Sequence, residues 1–348
     1  MSLPEPLGAS HALRPEAIVN WLPGHLRRDL ERGLASRASH VRGRFAPSPT
    51  GVLHRGNLRT ALLSWLEVRL QGGEWLLRID DLDTPRNRSG AEDAILADLR
   101  WLGLTWDGPV IRQSERRGLY GTVLSSLRRG GRLYPCRCSR RMLADLSAPH
   151  GGLPLYPGTC RDRPPLWGVI DGRCPSWRLR QPSLPLGWTD SLGGRVNGEG
   201  PGCGDVVLRR ADGFLAYHLA TAVDELWLGI STVLRGEDLA PATPAQVAVM
   251  VSLGATPPRY CHVPLWRADD GQRLSKRHAL PTLARSALDP GGSAIEIGVL
   301  ASSLDLVPPG ATLSAAELLQ SLDLSRFQAC LRRHRDGAVA RATKVGNP

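Results

Sequence analysis

Residues 44–57 read RFAPSPTGVLHRGN. The stretch begins inside a short strand predicted at 41–46 and precedes apolar residues that recur at helical spacing between 58 and 70. A turn at such a strand-to-helix junction presents free backbone N–H groups, and the helix dipole adds partial positive charge, so an anionic phosphate is favoured there. The stretch therefore predicts an ATP site, in which His54 hydrogen-bonds phosphate oxygens and Gly56 permits close approach of the nucleotide.

A second phosphate contact is predicted within residues 273–276, which read RLSK. Only Lys276 and Lys344 are lysines among the 44 basic residues, so arginine occupies nearly every other position of positive charge. A compact ammonium on a flexible stem can follow a phosphate through a reaction, which a planar guanidinium does less well. An isolated Ser-Lys pair is more often a solvated loop. Paired with the earlier stretch, Ser275 and Lys276 are interpreted as ligands of the same phosphates.

The composition favours a cytoplasmic protein with a polyanionic partner. The chain has 348 residues, a formal net charge of +11 and a pI near 10.0, which favour nucleic acid as a partner. Its longest apolar stretches, such as 247–253, are too short to span a bilayer, so no membrane partner is expected. Seven cysteines, an odd number, do not resemble an extracellular disulfide framework. A monomer is favoured as the oligomeric state.

Strands and helices alternate from 41 to 130, which predicts an α/β protein with a parallel sheet. Two helices are predicted to begin with capping boxes, Ser89 with Glu92 and Ser314 with Glu317. We predict a loose N-terminal extension at 1–40, which lacks the apolar core of a secretory signal. A catalytic domain follows in two halves, at 41–130 and 205–285, with an insertion between them at 131–204. The chain then ends in a helical C-terminal region with a basic tail at 286–348.

The predicted insertion contains a cysteine pattern that favours a metal site. Two cysteines separated by one residue are followed by a tyrosine and a third cysteine on a proline-containing hairpin. These side chains predict four ligands for one structural Zn²⁺, which would hold together a segment of low apolar content. The four ligands are Cys136, Cys138, Tyr156 and Cys160. Tyrosine is an uncommon zinc ligand, so His150 and Cys174 stay open as substitutes, and buried free thiols are the alternative interpretation.

Residues 43–86, together with 235–238 (RGED) and 273–276, resemble the catalytic core of class I glutamyl-tRNA synthetases. The resemblance covers most of residues 42–280. It implies a Rossmann-type fold, ATP with Mg²⁺, and attack of the substrate carboxylate on the α-phosphorus to give an aminoacyl-adenylate and pyrophosphate. It implies His54 and Lys276 as catalytic residues. The implied ATP contacts are His54, Gly56, Asn57, Ser275 and Lys276, and the implied glutamate contacts are Arg44, Phe45, Ala46, Pro47, Ser48, Asp80, Tyr217 and Arg235.

Three of the implied glutamate contacts have distinct roles. Arg235 would meet a substrate carboxylate, because an acidic amino acid needs charge-assisted donors; the alternative is a surface ion pair with Glu237 or Asp238. Tyr217 would close the pocket with its ring and hydroxyl. Asp80 departs from the family, which usually has glutamate there to receive the substrate ammonium. The shorter side chain leaves the geometry of the amino group, and with it the choice of substrate, open.

The metal pattern resembles one shortened branch of this family, the glutamyl-Q tRNA(Asp) synthetases. Only 72 residues follow Lys276, fewer than an anticodon-reading domain of about 100 residues needs. The resemblance implies activation of glutamate without tRNA and its transfer onto queuosine at the first anticodon position of tRNA(Asp). The anticodon stem-loop would then be the RNA partner, and the arginine-rich stretch 128–180 offers a surface for its phosphates.

Two other functions stay open at this point. A truncated glutamyl-tRNA synthetase would charge a tRNA 3′ end instead of an anticodon base. A non-catalytic, zinc-containing RNA-binding module would use the same basic insertion without any adenylate chemistry.

Overall fold

The computed structural model describes residues 18–139, 142–143, 156–181, 186–196, 204–266 and 291–345. Its α-helices are α1 Gly24–Ser39, α2 Arg55–Arg69, α3 Ala91–Trp101, α4 Arg117–Arg129, α5 Tyr217–Trp227, α6 Thr243–Ser252, α7 Gly292–Ser302, α8 Ala315–Ser321 and α9 Leu324–Val345. Its strands are β1 Arg42–Phe45, β2 Glu74–Ile79, β3 Ile111–Arg112, β4 Leu133–Cys136, β5 Ser176–Leu179, β6 Trp188–Asp190, β7 Gly194–Val196, β8 Val207–Arg209, β9 Thr232–Gly236 and β10 Arg259–Val263.

The main sheet is parallel apart from one antiparallel edge strand, and it has two halves. One half has the order β3-β2-β1, and the other has the order β9-β10-β6-β7, in which only β7 is antiparallel to its neighbour. The halves meet where the Ser231 N–H, just before β9, donates to the Arg42 carbonyl of β1 at 2.9 Å. The strand order reverses at this junction, which in α/β proteins opens a crevice at the carboxyl ends of the strands. The predicted Rossmann-type parallel sheet is confirmed.

Helix α2 packs closely across β1 and positions the turn before it. Leu58, Leu62 and Leu66 recur at helical spacing and are buried against the sheet. Gly43 in β1 makes this close approach feasible, because a Cβ there would lie 2.4 Å from Cγ2 of Val68. The turn 46–54 is therefore fixed at both ends by the core.

The segment between α4 and α5 is divided between two sheets. Strands β4, β5 and β8 form a separate antiparallel sheet, whereas the β6–β7 hairpin joins the main sheet, with Asp190 opposite Tyr260. The predicted insertion ends at residue 204, which would place β8 in the catalytic domain. In the structure β8 pairs with β5, a strand of the insertion. Alternating apolar residues mark a strand but do not say which strand it pairs with.

Both ends of the described chain are more ordered than the sequence predicted. In place of a loose extension, residues 24–39 form α1, in which Leu30 and Leu34 are buried. The basic tail predicted at the end of 286–348 belongs to helix α9, which buries Phe327 and Leu331 in the main core. Each helix carries apolar residues at helical spacing among its many arginines, and the charge obscured that pattern.

The two predicted capping boxes differ in outcome. The box at Ser314 and Glu317 is confirmed, and the Ser314 N–H donates to Glu317 at 2.7 Å. The box at Ser89 and Glu92 is wrong, because α3 follows Gly90 without a side-chain cap. Glu92 instead accepts a hydrogen bond from Arg112 at 2.8 Å, an ion pair that reaches across from β3.

Candidate active site

A cavity of about 500 Å³ lies at the carboxyl ends of β1 and β9. Ten of the thirteen predicted ATP and glutamate contacts line it: Arg44, Phe45, Ala46, Pro47, Ser48, His54, Gly56, Asn57, Tyr217 and Arg235. Asp80 is not among the lining residues, and Ser275 and Lys276 lie outside the described residues. The fold thus brings together residues separated by as many as 191 positions, in the crevice where the strand order reverses.

His54 forms the N-terminal cap of α2. Its Nδ1 accepts from the Asn57 N–H at 3.3 Å, and the Asn57 side chain accepts from the His54 N–H at 3.4 Å. A neutral ring that accepts at Nδ1 carries its proton on Nε2 and donates from there. The absence of a side chain at Gly56 leaves space for the ring, because a Cβ at this position would lie 2.9 Å from Cε1 of His54. The cap orients the histidine beside the positive end of the helix.

Arg235 is buried at the end of β9, with 3% of its surface exposed. Its guanidinium donates to the Gln246 Oε1 at 2.9 Å, the Thr243 Oγ1 at 2.8 Å and the His262 Nε2 at 3.2 Å. A surface ion pair with Glu237 or Asp238 is therefore not what holds it. The side chain presents a positive charge at the cavity while its direction is set by neutral acceptors.

Arg44 and Glu225 form a buried ion pair beside Arg235. The Arg44 Nε donates to the Glu225 Oε1 at 2.8 Å, and both side chains are almost fully enclosed. Burial alone raises the pKa of Glu225, but Arg44 and Arg78 hold it below its ordinary value. Glu225 therefore stays ionised and neutralises much of the charge that Arg44 brings to the cavity wall.

Asp80 lies behind the cavity, in an ion pair with Arg78. The Arg78 Nε donates to the Asp80 Oδ1 at 2.7 Å, and its Nη2 reaches Oδ2 at 3.2 Å. Arg78 is fully buried, and Asp224 and Glu225 lie 3.5 and 3.6 Å from it. The short carboxylate is thus engaged within the protein, which explains why it does not reach the cavity. The neighbouring Asp81 organises the turn, as it accepts from the Ser114 N–H at 2.7 Å.

The three cysteines of the predicted metal site lie together. The Sγ atoms of Cys136, Cys138 and Cys160 are all within 4.8 Å of one another, and the last two are 3.6 Å apart. Tetrahedral Zn²⁺ with bonds of about 2.3 Å needs sulfur atoms about 3.8 Å apart, so the spacing suits zinc. The Tyr156 hydroxyl lies 3.5 Å from the Sγ of Cys136, where it can complete the set. Cys174 is outside this group, and His150 lies outside the described residues.

Over most of its length the chain is similar to known proteins. Residues 40–293 match the family model of the catalytic domain of class I tRNA synthetases for E and Q. The chain is 56% identical over 306 residues to a glutamyl-Q tRNA(Asp) synthetase of Prochlorococcus marinus, with 88% of this chain and 95% of the relative covered. The chain belongs to the glutamyl-Q tRNA(Asp) synthetase family. It is accordingly a ligase with a class I synthetase catalytic domain.

Two further comparisons agree with this assignment. A glutamyl-Q tRNA(Asp) synthetase of Synechococcus sp. is 55% identical to it over 315 residues, covering 89% of this chain and 99% of the relative. The crystal structure of a glutamate tRNA ligase from Elizabethkingia meningosepticum, in complex with its amino acid, superposes with a TM-score of 0.67 and 27% identity. The match covers 82% of this chain and 65% of that ligase, so the chain spans about two thirds of the solved enzyme.

Several arginines of the stretch 128–180 are engaged within the protein. Arg128 lies over the ring of Trp167 at 4.1 Å, Arg137 donates to the Arg173 carbonyl at 2.9 Å, and Arg178 lies over the ring of Tyr156 at 3.7 Å. Stacking on an aromatic face suits the planar guanidinium. The stretch 128–180 is thus not a uniform surface for phosphate, since part of its charge stabilises the insertion itself.

Sequence analysis missed the residues that support the site from behind. Arg78, Asp224 and Glu225 form its buried charge network, and Asp190 and His262 hold Arg235. Charged residues inside otherwise apolar stretches, such as Asp224 and Glu225 in the middle of α5, were the available signal.

The described helices include none that is long and apolar enough to cross a membrane.

Proposed function

We propose that this synthetase activates L-glutamate with ATP and Mg²⁺ to glutamyl-adenylate without tRNA, and then transfers glutamate onto queuosine at the first anticodon position of tRNA(Asp). The observation that carries the proposal is the single cavity that gathers the phosphate-binding turn, the helix cap His54 and the buried Arg235. The names of the relatives support the acceptor. We further propose that the protein acts as a monomer in the cytoplasm.

The glutamate site is proposed to centre on Arg235. A substrate carboxylate that leaves water needs a charged donor, and Arg235 brings a positive charge that hydrogen-bonds only neutral groups among its described partners. Because Arg44 is paired with Glu225, the two together bring little net charge to the cavity, and Arg44 serves mainly as part of the cavity wall. Tyr217, at the start of α5 and 38% exposed, closes the opposite side. Asp80 meets the substrate ammonium through a bridging water.

The nucleotide site is proposed to lie over the start of α2. The Nε2–H of His54 donates to a phosphate oxygen, the helix dipole favours the negative charge, and Gly56 lets the triphosphate approach the backbone. Asn57 supports the histidine, as its backbone N–H donates to the ring. Ser275 and Lys276 bind the same phosphates, and Mg²⁺, when bound with ATP, would supply positive charge to the pyrophosphate oxygens.

The activation step needs no general base. The glutamate α-carboxylate is already ionised, so it attacks the α-phosphorus directly, and pyrophosphate departs. In the second step, a hydroxyl of queuosine attacks the acyl carbon, the bond from that carbon to the AMP phosphate breaks, and the hydroxyl proton passes to the departing AMP as the ester forms. The protein's contribution is therefore to align the carboxylate with the phosphorus and to stabilise the charge on the phosphates.

The three-cysteine cluster with Tyr156 is proposed to hold one structural Zn²⁺. The metal would tie β4 to the turn that carries Cys160, and so stabilise the antiparallel sheet of the insertion. Burial raises the pKa of Cys138 to about 11, whereas, against the effect of burial, hydrogen bonds from the Arg137 backbone, Tyr156 and the other two thiols hold the pKa of Cys160 below its ordinary value. The anticodon stem-loop would then contact this insertion through arginines that are not already stacked.

The direct test supplies labelled glutamate, ATP and Mg²⁺ with tRNA fractions that contain or lack queuosine, and then locates the acylated nucleotide. We expect labelling of the queuosine-containing anticodon of tRNA(Asp) only. Acylation of the 3′ end of unmodified tRNA would identify a truncated glutamyl-tRNA synthetase instead. Glutamate-dependent exchange of pyrophosphate into ATP in the absence of tRNA is expected as well. Its absence from a folded, zinc-loaded protein would leave only an RNA-binding module.

A further inference from the structure

Arg235 depends on a histidine for its direction. Two of its three hydrogen bonds within the described residues go to α6, to Gln246 and Thr243, and the third goes from Nε to the Nε2 of His262 in β10. The Nε bond fixes the plane of the guanidinium, because Nε is the atom that joins the fork to its stem. The Thr243 Oγ1 also lies 3.2 Å from the Nε2 of His262, so the three groups around Arg235 support one another. His262, together with Gln246 and Thr243, therefore determines where the remaining N–H groups of Arg235 aim.

The tautomer of His262 is set from its other side. Its Nδ1 lies 2.6 Å from the Oδ2 of Asp190, and the Oδ1 of Asp190 accepts from the backbone N–H groups of Leu192 and Gly193, each at 2.9 Å. A carboxylate can only accept, so the proton of the neutral ring sits on Nδ1 and Nε2 keeps its lone pair. The Nε–H of Arg235 donates its hydrogen bond to this lone pair.

We propose that Asp190 and His262 are positioning residues of the glutamate site, which hold Arg235 in the direction that receives the substrate carboxylate. This inference rests on the proposed role of Arg235 in the proposed function. The same arrangement of carboxylate, histidine and third group orients reacting side chains in hydrolytic triads, where amidation of the carboxylate selects the wrong tautomer. Here the third group is a binding residue and not a nucleophile.

The arrangement makes glutamate binding sensitive to acid. Among described residues, the charged groups around His262 are Asp190 from β6, Arg235 from β9 and Arg44 from β1, and the Tyr260 ring stacks on it at 5.7 Å. Burial lowers the pKa of His262 below its ordinary value of 6.5, against the opposing effect of Asp190. The ring is therefore neutral above that value. As the pH falls through the lowered pKa, Nε2 gains a proton, loses its lone pair and repels Arg235.

The experiment measures glutamate-dependent ATP–pyrophosphate exchange with the full chain from about pH 5.5 to about pH 8, the range in which histidine titrates. Three variants are compared with the parent protein. Asp190→Asn selects the wrong tautomer, and His262→Ala removes the acceptor. His262→Gln keeps an acceptor that cannot be protonated. His334→Gln is the matched control, because His334 pairs with Asp305 at 2.8 Å away from the cavity.

Asp190→Asn and His262→Ala are expected to raise the KM for glutamate about tenfold, with the KM for ATP unchanged. In the parent protein and in His334→Gln, the KM for glutamate should rise as the pH falls, whereas in His262→Gln it should stay flat. Identical pH profiles for the parent protein and His262→Gln, or an equal rise in the KM for ATP, would overturn the inference. No exchange in the parent protein at any pH would instead defeat the proposed function. Thermal unfolding midpoints identify a variant that merely fails to fold.

Discussion

Gly56 has no side chain because the ring of His54 occupies that space. The cap of α2 fixes the histidine through Asn57, and an added Cβ would lie 3.0 Å from the ring Nδ1. At the scale of single residues, the glycine and the histidine thus form one unit. The sequence identified both, since a histidine two residues before a glycine at a helix start suits phosphate binding. It did not reveal that Gly56 makes room for the ring of His54 as well as for the ligand.

Gly56→Ala is expected to lower the rate of adenylate formation by about one to two powers of ten, because the His54 ring must move out of position. Folding should change little, since alanine favours helix more than glycine does. The matched control is Gly118→Ala, at the same position of α4 and with open space around it. Exchange kinetics and urea unfolding together check the prediction. Equal activity in the two variants would contradict it.

Asp80 stands where the resemblance to glutamyl-tRNA synthetases implies a glutamate. Its carboxylate is engaged with Arg78, so the longer side chain in Asp80→Glu should extend past that pair toward the cavity. We expect the KM for glutamate to fall several-fold. We also expect the free energy of unfolding to fall by about 1 to 3 kcal/mol, because a methylene is added to a closely packed site. A loss of stability with an unchanged KM would show that the amino group is bound elsewhere.

Among the elements, those with strong local signals were predicted best. Strand β1, Arg42–Phe45, was predicted within one residue of its observed bounds, at 41–46, because it directly precedes a turn rich in proline and glycine. The pairing of β8 with β5 was not predicted, since partners in a sheet depend on contacts distant in sequence. Helices α1 and α9 were missed for a different reason. Their buried residues are few and lie among arginines that cover the solvent face.

The proposed Zn²⁺ would hold the insertion together, so the effect of losing this ion should be local. Cys138→Ser is expected to abolish binding of Zn²⁺, because a hydroxyl replaces a thiolate among three sulfur ligands. Metal analysis by mass spectrometry checks the zinc content. Circular dichroism in the aromatic region should show a change from the tryptophans of this segment. Cys174→Ser is the control and should keep its zinc, since Cys174 lies outside the cluster. Unchanged metal content in Cys138→Ser would exclude that ligand.

Helix α9 contributes to the stability of the main core. Phe327 is fully buried there, so Phe327→Ala is expected to lower the free energy of unfolding by about 3 to 5 kcal/mol. Arg332 on the same helix is exposed, and Arg332→Ala should stay within about 0.5 kcal/mol. Urea unfolding of both variants measures the difference. Similar stability in the two would mean that α9 is not part of the folded core.

At the scale of the whole molecule, the active site exists only once the two halves of the sheet meet. The turn after β1 and the Arg235 of β9 are far apart in sequence, and the junction between these strands brings them to one cavity. Sequence motifs could predict the residues of this cavity because each motif is local. The network behind it, from Asp190 to Glu225, comes from elements that no motif connects, so it became visible only in the fold.

The parallel pairing of β10 with β9 supports a prediction for Lys276. Strand β10 is parallel to β9, so both end at the edge where the cavity lies, and residues 264–266, which follow β10, line that cavity. Lys276 lies outside the described residues and comes ten positions after Trp266, which lines the cavity. We therefore expect Lys276→Ala to lower adenylate formation about a hundredfold or more, with little change in the unfolding midpoint, because its proposed partners are phosphates of the ligand. Lys344→Ala, the change at the other lysine, should leave both quantities unchanged. A parallel loss of stability and activity in Lys276→Ala would assign this lysine to the fold and not to the nucleotide.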